Sequence, residues 1–291
     1  MTKRLCYFHN KDMDGYFSGA VVKHKYPDVE LRGWDYKDPV PDFSEMEGFD
    51  EVILIDITFP LNILVELGKI KKLTVIDHHI SFKKQVDALD SYFENENKLM
   101  TFEYIFDQNL SACELGFQHY FGYIPPIVEL VGKYDTWRAN GTLEWETSVL
   151  PVKYFLYGWV NRPENVMVQW FEKDTDSIIK YMIGTGKAIM NYERTMDEAR
   201  TRSYAFETEA YGLRALCINT NFMSSETMIS RFDPEKHDIQ IGFAWNGRGW
   251  GVSLRSIEGG ADASVIAKER GGGGHKGAAG FEVKQFEDIF K

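Results

Sequence analysis

Three short apolar runs near the start of this chain end in groups that bind cations. Leu5-Cys6-Tyr7-Phe8 stops at His9, Glu51-Val52-Ile53-Leu54-Ile55 at Asp56, and Leu73-Thr74-Val75-Ile76 at Asp77-His78-His79. The loop after His9, Asn10-Lys11-Asp12-Met13-Asp14-Gly15, adds two more carboxylates. Carboxylates mixed with imidazoles suit hard or borderline divalent metals. Two such ions held ~3.5–4 Å apart can activate a water and clamp both oxygens of an in-line displacement at phosphorus. A polar turn after one strand is ordinary, but three strands that end alike point to a site.

The elements that must position these groups follow from hydrophobic patterning. Continuous apolar runs of four to six residues read as buried strands. Helix-like segments at 16–25 and 61–69 separate them, with a further strand at Val29–Trp34. Strand–helix alternation predicts an α/β fold, a mostly parallel Rossmann-like sheet with helices on both faces. Ligands of such sheets bind outside the carboxyl ends of the strands, where all of the groups named above fall. Residues 38–49 read as loop, and helices are expected at Ser111–Phe121 and from Pro125-Pro126 to Tyr134-Asp135-Thr136-Trp137. A long helix over 176–202, interrupted only by Gly184 and Gly186, connects two domains. The pattern then restarts: a strand at 213–218, a helix at 224–232, a hairpin of 238–245 with 250–257 around Asn246-Gly247-Arg248-Gly249, and a helix at 261–270. The glycine run 271–280 reads as a loop before a closing strand near Phe281. The domains are therefore expected at 1–175, with a linker helix at 176–205, and at 206–291 for a smaller C-terminal α/β domain.

With 291 residues, 44% of them hydrophobic, the chain can bury a sizeable core. Its formal net charge of −11 argues against a broad basic surface for long duplex DNA, while a small anion held through metal ions remains compatible. Cys6, Cys113 and Cys217 have neither disulfide-framework nor zinc-thiolate spacing, and Cys113-Glu114 lacks a histidine pattern for a thiol nucleophile. No run approaches the roughly 20 apolar residues of a membrane span, and the N-terminus is too short for a signal-peptide core. A cytoplasmic location is expected.

The ordered set His-Asn-Lys-Asp-Met-Asp-Gly (9–15), Ile-Asp (55–56), Asp-His-His (77–79) and Tyr-Asp-Thr (134–136) resembles motifs I to IV of the DHH phosphoesterase superfamily. Its members include RecJ exonuclease, nano-RNases, cyclic-dinucleotide phosphodiesterases and family II pyrophosphatases. Gly-Gly-Gly-Gly-His-Lys-Gly-Ala-Ala-Gly (271–280) is similar to the substrate loop of the companion DHHA1 domain. The resemblance implies two manganese ions, with magnesium an alternative. It implies His9, Asp12 and Asp56 as ligands of one, and Asp14, Asp56, His78 and Asp135 as ligands of the other. It places His79 beside the scissile phosphate, as charge stabiliser or proton donor, and gives Asp77 the role of orienting an imidazole. The three-residue step from His9 to Asp12 departs from the four of many relatives, which bears on the subgroup.

The glycine run also has its own physical case. Consecutive glycines let backbone N–H groups approach an anion without Cβ interference. Gly271, Gly272, Gly273, Gly274 and His275 are thus candidate phosphate binders, and Lys276 adds a further donor. Arg255, in a segment resembling a DHHA1 strand, is a second anchor. Trp137 can stack on a base, but core packing is the favoured reading, and His24, His119 and His237 read as ordinary structural histidines. The family resemblance implies a phosphodiesterase that releases mononucleotides from short single-stranded oligonucleotides, in the manner of a nano-RNase. The alternatives are a cyclic- or linear-dinucleotide or pAp phosphodiesterase, and, in another class, a non-catalytic nucleotide-binding module. No membrane partner is expected, and a homodimer is left open.

Overall fold

The computed structural model describes residues 2–70, 72–80, 82–88, 102–221, 223, 227–256 and 260–291. The chain divides into two compact units, Met1–Met190 and Asn191–Lys291.

The first unit is built on a five-stranded, all-parallel sheet. Its strands are β1 (Arg4–His9), β2 (Glu30–Trp34), β3 (Glu51–Ile55), β4 (Lys72–Asp77) and β5 (Phe102–Phe106), in the order β2-β1-β3-β4-β5. Its helices include α1 (Met13–Lys25), α2 (Leu61–Ile70), α3 (Ala112–Phe121), α4 (Pro126–Asp135) and α5 (Leu150–Tyr157). Alternate residues of the central strands face opposite layers, as the period of two requires. Leu5, Tyr7, Val52, Leu54, Leu73 and Val75 pack with Leu64 and Leu67 of α2. Cys6, Phe8, Ile53, Ile55 and Ile76 pack with Val22 of α1 and Leu115 of α3. The chain crosses from β2 back past β1 to β3, so the winding reverses between β1 and β3, and the crevice beyond that reversal is where such sheets place ligands.

Helix α6 (Asp176–Tyr204) runs unbroken through Gly184 and Gly186, and the division between the units falls within it. Gly186 is required by packing, since a Cβ there would lie 1.8 Å from the carbonyl oxygen of Pro151. The second unit carries a six-stranded mixed sheet: β6 (Phe206–Ala210), β7 (Leu213–Asn219), β8 (Ile239–Trp245), β9 (Trp250–Arg255), β10 (Gly273–His275) and β11 (Ala278–Val283), ordered β10-β11-β9-β8-β7-β6. Only β7 and β8 are parallel. Helix α7 (Ala263–Glu269) contributes Ala263, Ile266 and Ala267 to the core of one face.

Several expectations are corrected. The glycine segment is a hairpin rather than a loop, with Gly273–His275 paired to Ala278–Gly280, so the closing strand starts three residues before Phe281. The interval 38–49 contains a 3-10 turn at Phe43–Met46, whose Asp42 side chain and Glu45 form a capping box. Of the helix expected at 224–232, residues 224–226 lie outside the described residues and 227–231 form turns. Residue 257, the last of the strand expected at 250–257, also lies outside them. Strands β5 and β6 and helix α5 carry weak patterns and have no counterpart in the sequence reading. All three cysteines are free and buried.

Candidate metal centre

The site grows from the carboxyl ends of β1, β3 and β4. His9 closes β1, and Asp12 then caps α1 by accepting the Gly15 N–H at 2.9 Å. Gly15 permits this tight return, because a Cβ there would lie 1.9 Å from the His9 carbonyl oxygen. Asp56 follows β3 with φ at +62°, a left-handed conformation that Asp and Asn tolerate better than most residues. Its N–H donates to the Ile76 carbonyl at 3.0 Å, which fixes the turn against β4. Asp135 ends α4, and Asp14 lies in the first turn of α1.

These elements bring together His9, Asp12, Asp14, Asp56, Asp77, His78, His79 and Asp135. Three overlapping sets each hold ligand atoms within 4.8 Å of one another: His9, Asp12 and Asp56; Asp14, His78 and Asp135; and Asp56, Asp77, His78 and His79. His9 Nδ1 is 2.8 Å from Asp12 Oδ2 and 3.6 Å from Asp56 Oδ2. His78 Nε2 is 3.5 Å from Asp56 Oδ1, 3.4 Å from Asp135 Oδ2 and 3.8 Å from Asp14 Oδ2. Asp56 thus faces both imidazoles, with one oxygen toward each. Asp14 is further held by α3, whose Ala112 and Cys113 N–H groups donate to it at 2.8 and 2.9 Å.

The electrostatics are those of a crowded anionic pocket. Burial, then the nearby charges of Asp14 and Asp12, hold the Asp56 carboxyl well above its ordinary range. Burial, then Asp14 and Asp56, do the same for Asp135. Burial works against charge on His9, but its contact with Asp12 and the adjacent Asp56 carboxylate outweigh it and raise its pKa to about 10. His79 is raised for the same reason, Asp77 overcoming burial. The buried atoms His78 Nε2, Asp56 Oδ2 and Asp77 Oδ2 lack a hydrogen-bond partner. Buried polar atoms are normally satisfied, so aspartates and imidazoles aimed at common points with unmatched atoms fit divalent cations.

Sequence reading missed three neighbours. Asp35, one residue after β2, has Oδ1 3.8 Å from His9 Nε2. The Tyr36 ring lies 6.3 Å from that of His9, and its hydroxyl accepts the Thr58 N–H at 3.2 Å. Tyr157, at the end of α5, bonds Tyr134 through its hydroxyl and feels the charges of Asp12 and Asp135. Trp34-Asp35 does repeat the pattern of a strand ending in a carboxylate, but β2 lacks the apolar run that marks the others. Trp137 departs from the favoured core reading. It is 47% exposed, holds φ at +57° and tilts against Trp145 at 6.0 Å.

The remaining candidates lie in the second unit. Register places Arg255 opposite Ala278, and Ala278 opposite His275, in one row across β9, β11 and β10. Arg255 donates to the carbonyls of Leu254 and Met223 at 2.9 and 2.8 Å. Gly271 has φ +76° and Gly274 φ +137°, and Gly273 and Gly274 lie within β10.

No family model and no curated protein matches the sequence. Solved structures do match over nearly the full chain. The DHH domain of a member of a ribosomal-protein family aligns at 14% identity and TM-score 0.59, covering 99% of this chain and 84% of that one. The fold is the one seen in that DHH domain. A pGpG-specific phosphodiesterase from Vibrio cholerae aligns at 15% identity and TM-score 0.52, with 99% and 95% coverage. An exopolyphosphatase-related protein from Bacteroides fragilis aligns at 15% and 0.51, with 99% and 89% coverage. In this chain the parallel sheet of that shared fold carries the cluster of aspartates and histidines at its carboxyl edge.

Proposed function

We propose that this DHH-fold protein is a divalent-metal-dependent phosphodiesterase, manganese being the preferred ion, that releases mononucleotides from short single-stranded oligonucleotides. The observation that carries the reading is the set of three overlapping ligand groups at the switch point of the sheet, with Asp56 turned toward both His9 and His78. His9, Asp12 and Asp56 would hold one cation, and Asp14, Asp56, His78 and Asp135 the other. Bound there, two cations supply an activated water and neutralise charge on the reacting phosphate.

The chain's own groups supply the rest. Asp77 fixes the His79 ring and favours its protonated form, so His79 can donate a proton to the leaving oxygen. Tyr36 and Tyr157 stand beside the cluster, near His9 and near Asp12 and Asp135 respectively. In the second unit Arg255, His275 and the N–H groups of the glycine hairpin would bind a terminal phosphate of the substrate. The domain roles that follow are metal chemistry in the first unit and substrate binding in the second.

A second reading, hydrolysis of a linear dinucleotide, is favoured by the full-length likeness to a pGpG-specific phosphodiesterase. A panel of RNA and DNA 2- to 10-mers, pGpG, a cyclic dinucleotide and pAp, assayed with Mn²⁺ and with chelator, separates the two. Turnover that falls steeply beyond the dinucleotide supports the second reading. No turnover of any member of the panel overturns both.

A further inference from the structure

A cavity of about 530 Å³ lies wholly within the second unit, inside the roughly 300–1,000 Å³ span of small-molecule sites. It opens at the carboxyl ends of the parallel pair β7 and β8, against the last turns of α6. Tyr204, Trp245 and Trp250 give it aromatic walls, Asn219 and Asn221 give it amides, and Arg200 gives it a cation.

Its position sets it apart from the phosphate-binding row. Trp245 pairs with Trp250 at one end of the β8–β9 ladder, whereas Arg255 pairs with Gln240 at the other. Five steps along the strand lead from Trp250 to Arg255, about 17 Å at ~3.4 Å per residue. His275 shares the row of Arg255 through Ala278, so it too lies at the far end.

The chemistry of the walls selects one class of ligand. Trp245 is 54% exposed and Tyr204 is 70% exposed, although large aromatics ordinarily bury their faces in a core or an interface. Trp245 is braced edge-on by Trp250 at 5.7 Å, which holds its plane in place. A braced, exposed indole with amides beside it suits a flat, hydrogen-bonding ring, because bases stack on aromatic faces. Arg200 adds positive charge at the rim, partly shared with Asp197 at 3.0 Å.

We propose that this cavity is a nucleobase-binding subsite. A base stacks on Trp245 and Tyr204, Asn219 and Asn221 hydrogen-bond its edge, and Arg200 faces the attached phosphate. Bases in place of other flat heterocycles are chosen on the strength of the phosphodiesterase reading above.

The test is calorimetric titration of the full-length protein with GMP in EDTA, where the metal centre does not contribute. Saturable binding is expected, weakened about tenfold or more in Trp245→Ala, in line with the loss of one stacked base, and weakened also in Asn219→Ala. Val265→Ala, exposed on α7, keeps wild-type affinity. Ribose 5-phosphate, which has the sugar phosphate but no base, binds far more weakly. An absence of GMP binding, equal binding of ribose 5-phosphate, or an unchanged Trp245→Ala each overturns the subsite. Hydrolysis of bis(p-nitrophenyl) phosphate with Mn²⁺, a diester with no base, reports on the phosphodiesterase reading separately, so either can fail while the other stands.

Discussion

His79 Nδ1 lies 2.7 Å from Asp77 Oδ1, and that same oxygen accepts the backbone N–H groups of His78 and His79 at 2.7 and 3.0 Å. One buried carboxylate oxygen therefore sets both the turn and the ring. It also favours the charged imidazole, against the opposing effect of burial. A proton donor with a raised pKa stays protonated to higher pH, and its activity falls as pH rises through that pKa. Asp77→Asn removes the charge, so the alkaline limb of the kcat profile should move to lower pH. The rate should fall about 10- to 100-fold, as for other groups that orient a catalytic imidazole. An unmoved limb would separate Asp77 from the titration of the donor.

Asp56 predicts opposite effects with and without metal. Its carboxyl is raised by burial and by Asp14 and Asp12, so its ionisation opposes folding above the ordinary carboxylate range, and metal-free stability should grow as pH falls. Asp56→Asn keeps the shape and tolerates the positive φ, and it removes that charge. Its Tm in chelator should rise by a few degrees. Added Mn²⁺ should stabilise the native protein by about 2.7 kcal/mol at a hundredfold excess over Kd, and the variant by much less. Differential scanning fluorimetry with and without Mn²⁺ measures both.

The strand ends are legible because a fully buried strand must be apolar, so a carboxylate or imidazole at its end stands out, as at His9, Asp56 and Asp77. The neighbours of the site are not. Asp35 follows β2, whose partly exposed residues carry no continuous apolar signal. The left-handed backbone of Trp137 depends on how α4 ends, which its own sequence does not announce. The hairpin at Gly273–Val283 is hidden because glycine has low strand preference and serves here through its small size.

His9 ties metal affinity to pH. Its imidazole is held protonated, with a pKa of about 10, by Asp12 and Asp56, whereas a metal ligand must be neutral. Binding should release that proton, and Mn²⁺ affinity should rise about tenfold per unit between about pH 6.5 and 8.5. In chelator the same pairing stabilises the fold. That contribution is complete below the unfolded value of 6.5 and is lost as pH rises through about 10. Calorimetry in buffers of different ionisation enthalpy counts the protons, and a count of zero would contradict the coupling.

Glu114 and Arg138 tie the metal helices together. The Glu114 side chain is fully buried and accepts from both terminal nitrogens of Arg138 and from the Ser111 N–H. It also presses on Gly132, where a Cβ would lie 2.0 Å from Oε2. The pair thus pins the start of α3, which holds Asp14, against α4, which carries Asp135. Arg138→Ala leaves a buried carboxylate unpaired and should cost about 3 kcal/mol, the lower end of the buried-pair range because Arg138 reaches the surface. Adding Glu114→Gln should restore part of that stability, which urea denaturation of the single and double variants tests.

Gly274 distinguishes two reasons for the glycine run. If the run only let an anion approach, each of its residues would tolerate alanine about equally well in the free protein. The hairpin predicts otherwise. Gly273 has open space for a Cβ, whereas one at Gly274 would fall 2.5 Å from Ala279 Cα, at a φ of +137°. Gly274→Ala should therefore destabilise the β10–β11 pairing, lower Tm by several degrees and raise KM by displacing His275. Gly273→Ala should leave Tm within about a degree, since substitutions outside strained or packed positions cost about 0.5 kcal/mol or less. If its KM still rises, the Cβ obstructs substrate directly and the backbone at Gly273 lines the phosphate site. If KM is unchanged as well, phosphate recognition rests on His275 and Arg255 rather than on the backbone at this glycine.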